Sequence, residues 1–292
     1  MKARISVLCT VLLVCPIVLA AQGLDTAKID EALGRTGQKT GDVYRVGFPR
    51  TDLHVVAGGV DIKPGLALGS WAAFAGSDAH AMVMGDLVLL PNELGPVMTK
   101  LRAAGFEISA VHNHLADETP HVMYIHYMGH GNPVELAKSL RAALAESKTP
   151  LAAPAASPAP AAEPPAWVQT INTTLGATGR WGGGVLAFGI PRAEPVMEDG
   201  MALTPAQGAA EAINFQEAGS GQVATTGDFV LIADEVNPVI SALIAHNIQI
   251  TALHSHMLTE QPRVFFMHFW AVGSADSVAQ GIKAALNKVH IK

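Results

Sequence analysis

The 292-residue chain sets 25 acidic against 19 basic residues, a formal charge of −6, and has no basic run to offer a phosphate backbone, which excludes nucleic acid as an expected partner. Its two cysteines, Cys9 and Cys15, both lie in the first twenty residues. Once they are removed the chain has no disulfide, thiol nucleophile or thiolate ligand, so any metal site must use His, Asp or Glu.

Met1-Lys2-Ala3-Arg4 is a short basic start, followed by an apolar run from Ile5 to Leu19 and small residues around Ala20 and Ala21. The run is shorter than the ~20 residues a bilayer core requires, so residues 1–20 read as a secretory signal peptide rather than a span. The expected location is periplasmic or secreted, with no membrane span after cleavage. Neither cysteine follows the small residues of a lipid-attachment box, which favours a soluble protein over a lipoprotein.

In the mature chain, Asp25 can cap a short helix that puts Ile29 and Leu33 on one face and ends at Gly34. Strand-like runs follow at Val43 to Phe48 and from Ala81 to Leu90. A helix then opens at Gly95-Pro96 and closes at Gly105, where a left-handed residue ends it. Phe106 to His114 reads as a strand and Val122 to Met128 as another, with Asp117 to Pro120 in the loop between. Asn132-Pro133-Val134-Glu135 caps a final helix.

The same series then repeats. Gly47-Phe48-Pro49-Arg50 recurs as Gly189-Ile190-Pro191-Arg192, Gly85-Asp86 as Gly227-Asp228, and His112-Asn113-His114 as His254-Ser255-His256. Each pair lies 142 positions apart, with a brief slip near Trp71 and Ile213. Asn237-Pro238, Asn247 and Ser274 take the places of the helix signals. The Pro/Ala tract between the copies has nothing large to bury and reads as a semi-extended spacer. The expected organisation is repeat 1 over 24–146, a linker over 147–166 and repeat 2 over 167–292. Strand, helix, strand, strand, helix in each copy implies an α+β fold. Each copy would be an antiparallel sheet covered by short helices, and the two would pair as an internal pseudo-dimer.

His112 and His114, two apart at a strand end, point to one side of a sheet. Glu118 follows in the loop, and His126 lies on the returning strand. The second copy keeps all four residue types as His254, His256, Glu260 and His268, whereas His54, His121 and His130 become Val196, Arg263 and Val272. Three imidazoles and a carboxylate suit a divalent transition metal such as Zn, Fe, Mn or Cu. Glu118 and Glu260 are the candidate fourth ligands or general bases. The bland alternative is a hydrogen-bonded histidine cluster with a purely structural role.

His-x-His followed by Glu also begins a cupin metal motif, which makes a bicupin-like β-barrel the alternative fold, although a helix directly before the motif strand does not suit it. Arg50 and Arg192, each with an acid two residues on, read as turn-fixing ion pairs or as anion grips. Asp86 and Asp228 are explained as well by turns as by catalysis. Tyr124 and Phe266 read as core residues, with a pocket wall as the lesser reading.

GDLVLLPNELGPV and GDFVLIADEVNPV, each followed by A-[VL]-H-[NS]-H and then P-x-[VM]-[YF] before the last histidine, resemble the LppY/LpqO family of exported bacterial proteins. That resemblance covers nearly all of the mature chain in duplicate. It implies export and a two-copy architecture, and it supplies no activity, substrate or cofactor. The functional expectation is therefore a metal-binding exported protein with hydrolytic or oxygen-handling chemistry. The alternatives are a non-catalytic binding protein for a small molecule or metal, and a structural envelope module.

Overall fold

The computed structural model describes residues 23–152 and 163–292, so the signal-peptide reading and the middle of the Pro/Ala tract lie outside it. The first half runs α1 (Thr26–Leu33), β1 (Gln38–Thr40), β2 (Val43–Pro49), β3 (Val56–Ala57), β4 (Val60–Asp61), α2 (Pro64–Ala67), β5 (Gly69–Gly76), β6 (Ala81–Leu89), α3 (Pro91–Ala103), β7 (Glu107–His112), β8 (Met123–Gly131) and α4 (Pro133–Leu144). The second half runs α5 (Ala166–Leu175), β9 (Arg180–Gly182), β10 (Val185–Pro191), β11 (Met197–Glu198), β12 (Met201–Ala202), a 3-10 turn (Pro205–Gln207), β13 (Ala210–Gly219), β14 (Gln222–Leu231), α6 (Ala233–Ala245), β15 (Gln249–His254), β16 (Phe265–Ser274) and α7 (Ala275–Leu286).

Each half is a six-stranded antiparallel sheet, ordered β1-β2-β5-β6-β8-β7 and β9-β10-β13-β14-β16-β15. Neither sheet closes into a barrel, so the bicupin alternative is not the fold. The α+β pair of helix-covered sheets is.

The pleat explains why only one face of each sheet carries helices. In the first half Val46, Phe48, Phe74, Val83, Leu87, Ile125 and Tyr127 point to one side. There they meet Ile29 and Leu33 of α1, Val97 and Leu101 of α3, and Leu136 and Leu140 of α4. The second half builds the same core from Leu186, Phe215, Phe229, Met267 and Phe269 under α5, α6 and α7. Asp25 caps α1 through the Lys28 N–H, and Asn132 and Ser274 cap α4 and α7. Gly34 and Gly105 end their helices with positive φ, as does Asn247, the residue expected to do so in the second copy.

One boundary differs from the sequence expectation. α3 and α6 begin at Pro91 and Ala233, so Pro96 and Pro238 lie inside them. A buried ion pair fixes the earlier start. Arg50 Nη1 donates to Glu93 at 2.7 Å and to the Val88 carbonyl at 2.8 Å, and Glu93 accepts from the Leu90 N–H at 2.9 Å. Arg192, Glu235 and Ile232 repeat the arrangement. The repeated Pro-Arg thus holds a helix terminus onto its sheet, with Asp52 as its second acid at 2.9 Å.

The remaining faces of the two sheets meet each other. The segment from Leu53 to Leu68 leaves its own sheet and packs with Val88, Leu115 and Tyr124 against Val185, Ala224 and Trp270 of the other half. Reciprocally, Val196, Leu203 and Ala209 pack with Val230, Met257 and Phe266 against Met82, Met84 and Met128. Gln216 ties the first arm down, accepting from the Lys63 N–H at 2.9 Å and donating to the Asp61 carbonyl at 2.8 Å. Contacts that recur with the halves exchanged define an approximate two-fold between them.

The glycines of the repeated Gly-Asp pairs are places of close approach. A methyl group at Gly85 would stand 2.1 Å from the Trp71 carbonyl oxygen, and one at Gly227 would stand 1.9 Å from that of Ala212. Backbone cannot step aside as a side chain can. Gly227→Ala is therefore expected to lower stability by about 1–3 kcal/mol, read as a shift of the urea unfolding midpoint at unchanged slope.

Candidate metal centre

His112 and His254 end the edge strands β7 and β15, and His114 and His256 stand two residues further on. His126 and His268 sit in the middle of β8 and β16, in register with Asp86 of β6 and Asp228 of β14. Every one of these side chains points away from the helices, toward the opposite half. The two motifs therefore do not form separate sites. All six histidines converge in the interface between the sheets.

Their packing follows the two-fold. The rings of His112 and His254 stack with centroids 3.8 Å apart, His114 meets His268 at 3.8 Å, and His256 meets His126 at 3.6 Å. Tyr124 stacks on His114 at 3.5 Å and Phe266 on His256 at 3.4 Å, so these aromatics wall the histidines rather than fill the helical core. Two hydroxyls pin the motif loops from across the interface. Ser109 Oγ donates to the His256 carbonyl at 2.6 Å, and Thr251 Oγ1 donates to that of His114 at 2.9 Å.

The ring nitrogens are arranged as donors to a common centre. His112 Nε2 and His114 Nε2 stand 3.1 Å apart. Two nitrogens bound to one ion at about 2.0–2.1 Å stand roughly 2.9–3.4 Å apart for right-angle to tetrahedral geometry. Three groups of converging donors can hold a metal ion: Asp86 with His112, His114 and His126; His112 with His254 and His268; and His126 with His254 and His256. Two of the three mix ligands from both halves.

His268 Nδ1 lies 2.6 Å from the Gly227 carbonyl, to which it donates, and that leaves Nε2 with the lone pair. Nε2 is buried without a hydrogen-bond partner, and so are His126 Nε2, His112 Nδ1 and both ring nitrogens of His254. A backbone carbonyl on one ring nitrogen and an unmet lone pair on the other is how a metal-ligating imidazole is oriented. His256 Nε2 is 2.9 Å from Asp228 Oδ2 yet makes no hydrogen bond.

Asp86 and Asp228, which the sequence explains as well by turns as by catalysis, stand in the site. They stand mid-strand, where alternation aims them into the interface. His114 Nε2 is 3.3 Å from Asp86 Oδ2, and one oxygen of each carboxylate has no hydrogen-bond partner. Their register opposite His126 and His268 was the missing signal, because it appears only once β6 and β14 are paired with β8 and β16.

Glu118 and Glu260 are placed elsewhere. Each is buried and accepts from the backbone N–H four residues on, Val122 and Val264, both at 3.1 Å. Glu118 also pairs with His121 at 2.6 Å, and Glu260 with Arg263 at 3.1 Å. They fold the loop behind the histidines and belong to none of the converging groups.

Burial sets the charge states. It holds His114, His126, His254 and His256 well below the usual histidine range, and lowers His112 and His268 as well. Neighbouring histidines add to this at all of them except His256. Burial likewise raises Asp86, with repulsion from Asp228 adding to it, and lifts Asp228 to about 6. The cluster is a set of neutral nitrogen donors at neutral pH.

The family described as Domain of Unknown Function (DUF1259) matches residues 27–146 and again residues 169–288. No curated protein matches the chain. Among solved structures, the trimeric bacterial microcompartment shell protein PduB is similar at 12% identity and a TM-score of 0.21, covering 87% of this chain and 89% of that one. EtuB from Clostridium kluyveri is similar at 11% identity and a TM-score of 0.19, with the same coverage, and TP0453 at 14% and 0.19 over 87% of this chain and 96% of that one. Scores this low carry no argument about the site.

A pH dependence follows from the charge states. A histidine kept neutral by the fold binds its proton only in the unfolded chain, so each one costs stability as pH falls below the ordinary value of about 6.5. Asp86, Asp228, Glu198 and Glu211 act oppositely, because the folded state holds their protons better, but four carboxylates offset only part of six histidines. The metal-free protein is expected to lose stability steeply between about pH 6.5 and 4.5, by at most about 1.4 kcal/mol per pH unit for each net proton. Urea unfolding across that range checks it, and a flat profile would refute it.

Proposed function

The chain belongs in both of its halves to the DUF1259 family of domains of unknown function, and on that premise we propose that it is an exported metal-binding protein whose single centre is built jointly by its two repeats. We place it with the LppY/LpqO proteins within that family on the strength of its repeated motifs. The observation that carries the metal reading is the set of buried ring nitrogens left without hydrogen-bond partners and facing one another across the interface. A buried polar atom without a partner costs about 1–3 kcal/mol. Several such atoms in one place are sustained by something that binds there.

A purely structural role accounts poorly for this. Histidines kept for hydrogen bonding would have both ring nitrogens paired, whereas His254 has neither. The imidazole-rich donor set suits Zn, Cu or Fe better than the hard cations that prefer oxygen. An ion here would supply Lewis acidity or an activated water, which makes hydrolytic or oxygen-handling chemistry the finer proposal. Asp86 and Asp228 are the carboxylates beside it, while Glu118 and Glu260 shape the loop.

A cavity of about 720 Å³ lies against His114, His126, His256 and His268. This favours a centre with room for a substrate over a closed storage site.

Elemental mass spectrometry on the full chain is the direct test. A stoichiometric transition metal is expected in the native protein. It should be lost from the His112→Ala/His254→Ala variant while circular dichroism remains native-like. No metal in either protein after loading with Zn, Mn, Fe and Cu would end this reading.

A further inference from the structure

The wall of the cavity beside the histidines departs from the two-fold. Opposite Asp86 in the sheet stands Trp71, and opposite Asp228 stands Ala212. Arg45 lines the cavity from the first half, where the repeat has Ala187, and Arg180 lines it from the second, where the first half has Gln38. The two copies therefore share their ligands but not the residues that would meet a substrate.

Arg45 is held ready and is not used up. Its guanidinium lies 3.9 Å over the Trp71 ring, and Nη1 donates to the Ala206 carbonyl of the other half at 2.7 Å. Among the described residues its other N–H groups have no hydrogen-bond partner and no acid lies within ion-pair distance of it. Arg50 and Arg192, by contrast, each hold two carboxylates. Stacking and the single carbonyl contact fix the plane of the fork and leave its remaining donors to the cavity.

We propose that this cavity binds a small organic carboxylate, gripped by Arg45 and directed with its other end toward the histidine centre. A planar, pre-oriented guanidinium matches the two oxygens of a carboxylate. A phosphate dianion fits less well than a monoanion beside Asp86 and Asp228, both of which line the same cavity. Gly47, Gly65 and Gly189 keep the lining open for an apolar body, and the volume is in the range of small-ligand sites. The contact to the ion rests on the metal-binding reading, whereas the contact to Arg45 does not.

Isothermal titration calorimetry on the full chain, zinc-loaded and metal-free, separates the two. The probes are 3-phenylpropionate, its neutral amide and inorganic phosphate, with metal content and melting temperature measured on the same samples. The acid is expected to bind, the amide about tenfold or more weakly, and phosphate not to compete. Arg45→Ala should weaken the acid about tenfold or more at unchanged metal content, and Arg45→Lys, which preserves the charge, should fall between them. Equal binding of acid and amide, binding of phosphate alone, or an Arg45→Ala variant with native affinity would overturn the proposal. If Arg45→Ala does not fold, native affinity in Arg45→Lys overturns it instead. Arg45-dependent binding of the acid by a chain that takes up no zinc on loading would remove the metal reading and keep the carboxylate pocket. Stoichiometric metal without acid binding would do the reverse.

Discussion

Six imidazole rings pressed together away from water, with several of their nitrogens unpaired, set the terms for the rest of this fold. Neutral rings can be buried where charged ones cannot, but their lone pairs and N–H groups still lose hydration. The surrounding structure offsets that loss. Apolar clusters flank the histidines on both sides, one built by the first-half arm on the second sheet and one by the reciprocal contact. Tyr124 and Phe266 stack directly on His114 and His256 and keep solvent from their faces.

Duplication is what makes the centre possible. A single copy would present His112, His114, His126 and Asp86 on an open sheet face, where water would satisfy them. Pairing two copies places His112 against His254 and brings His268 and His256 into groups with residues of the other half. The hydroxyls of Ser109 and Thr251 then clamp the motif loops of the opposite copy. The shared histidines and aspartates leave room for divergence elsewhere, and in the cavity the copies differ in charge at Arg45 against Ala187 and at Arg180 against Gln38. Buried ion pairs such as Arg50–Glu93 are kept in both, because they seat helices and do not touch the centre.

Much of the fold was legible along the chain because it is encoded locally. Asp25, Asn132 and Ser274 announce helix starts through side chains that reach N–H groups within three residues, and Gly34 and Gly105 announce ends through a backbone conformation other residues resist. The internal repeat required only comparison of the chain with itself. Pro96 misled for a related reason: a proline often opens a helix, and only the distant Arg50, locked to Glu93, starts α3 at Pro91 instead.

The sequence by itself determined the capped helices, four of the six strands of the first sheet, the two-copy architecture and the six histidines, because propensity, capping and periodicity act over a few residues. The tertiary structure alone decided that those histidines form one centre and not two. It also decided that Asp86 and Asp228, not Glu118 and Glu260, stand among them, and that Arg45 faces the same cavity. Each of these depends on the register between strands far apart in the chain and on the face one sheet turns to the other. Such long-range pairings leave no mark on the residues nearby.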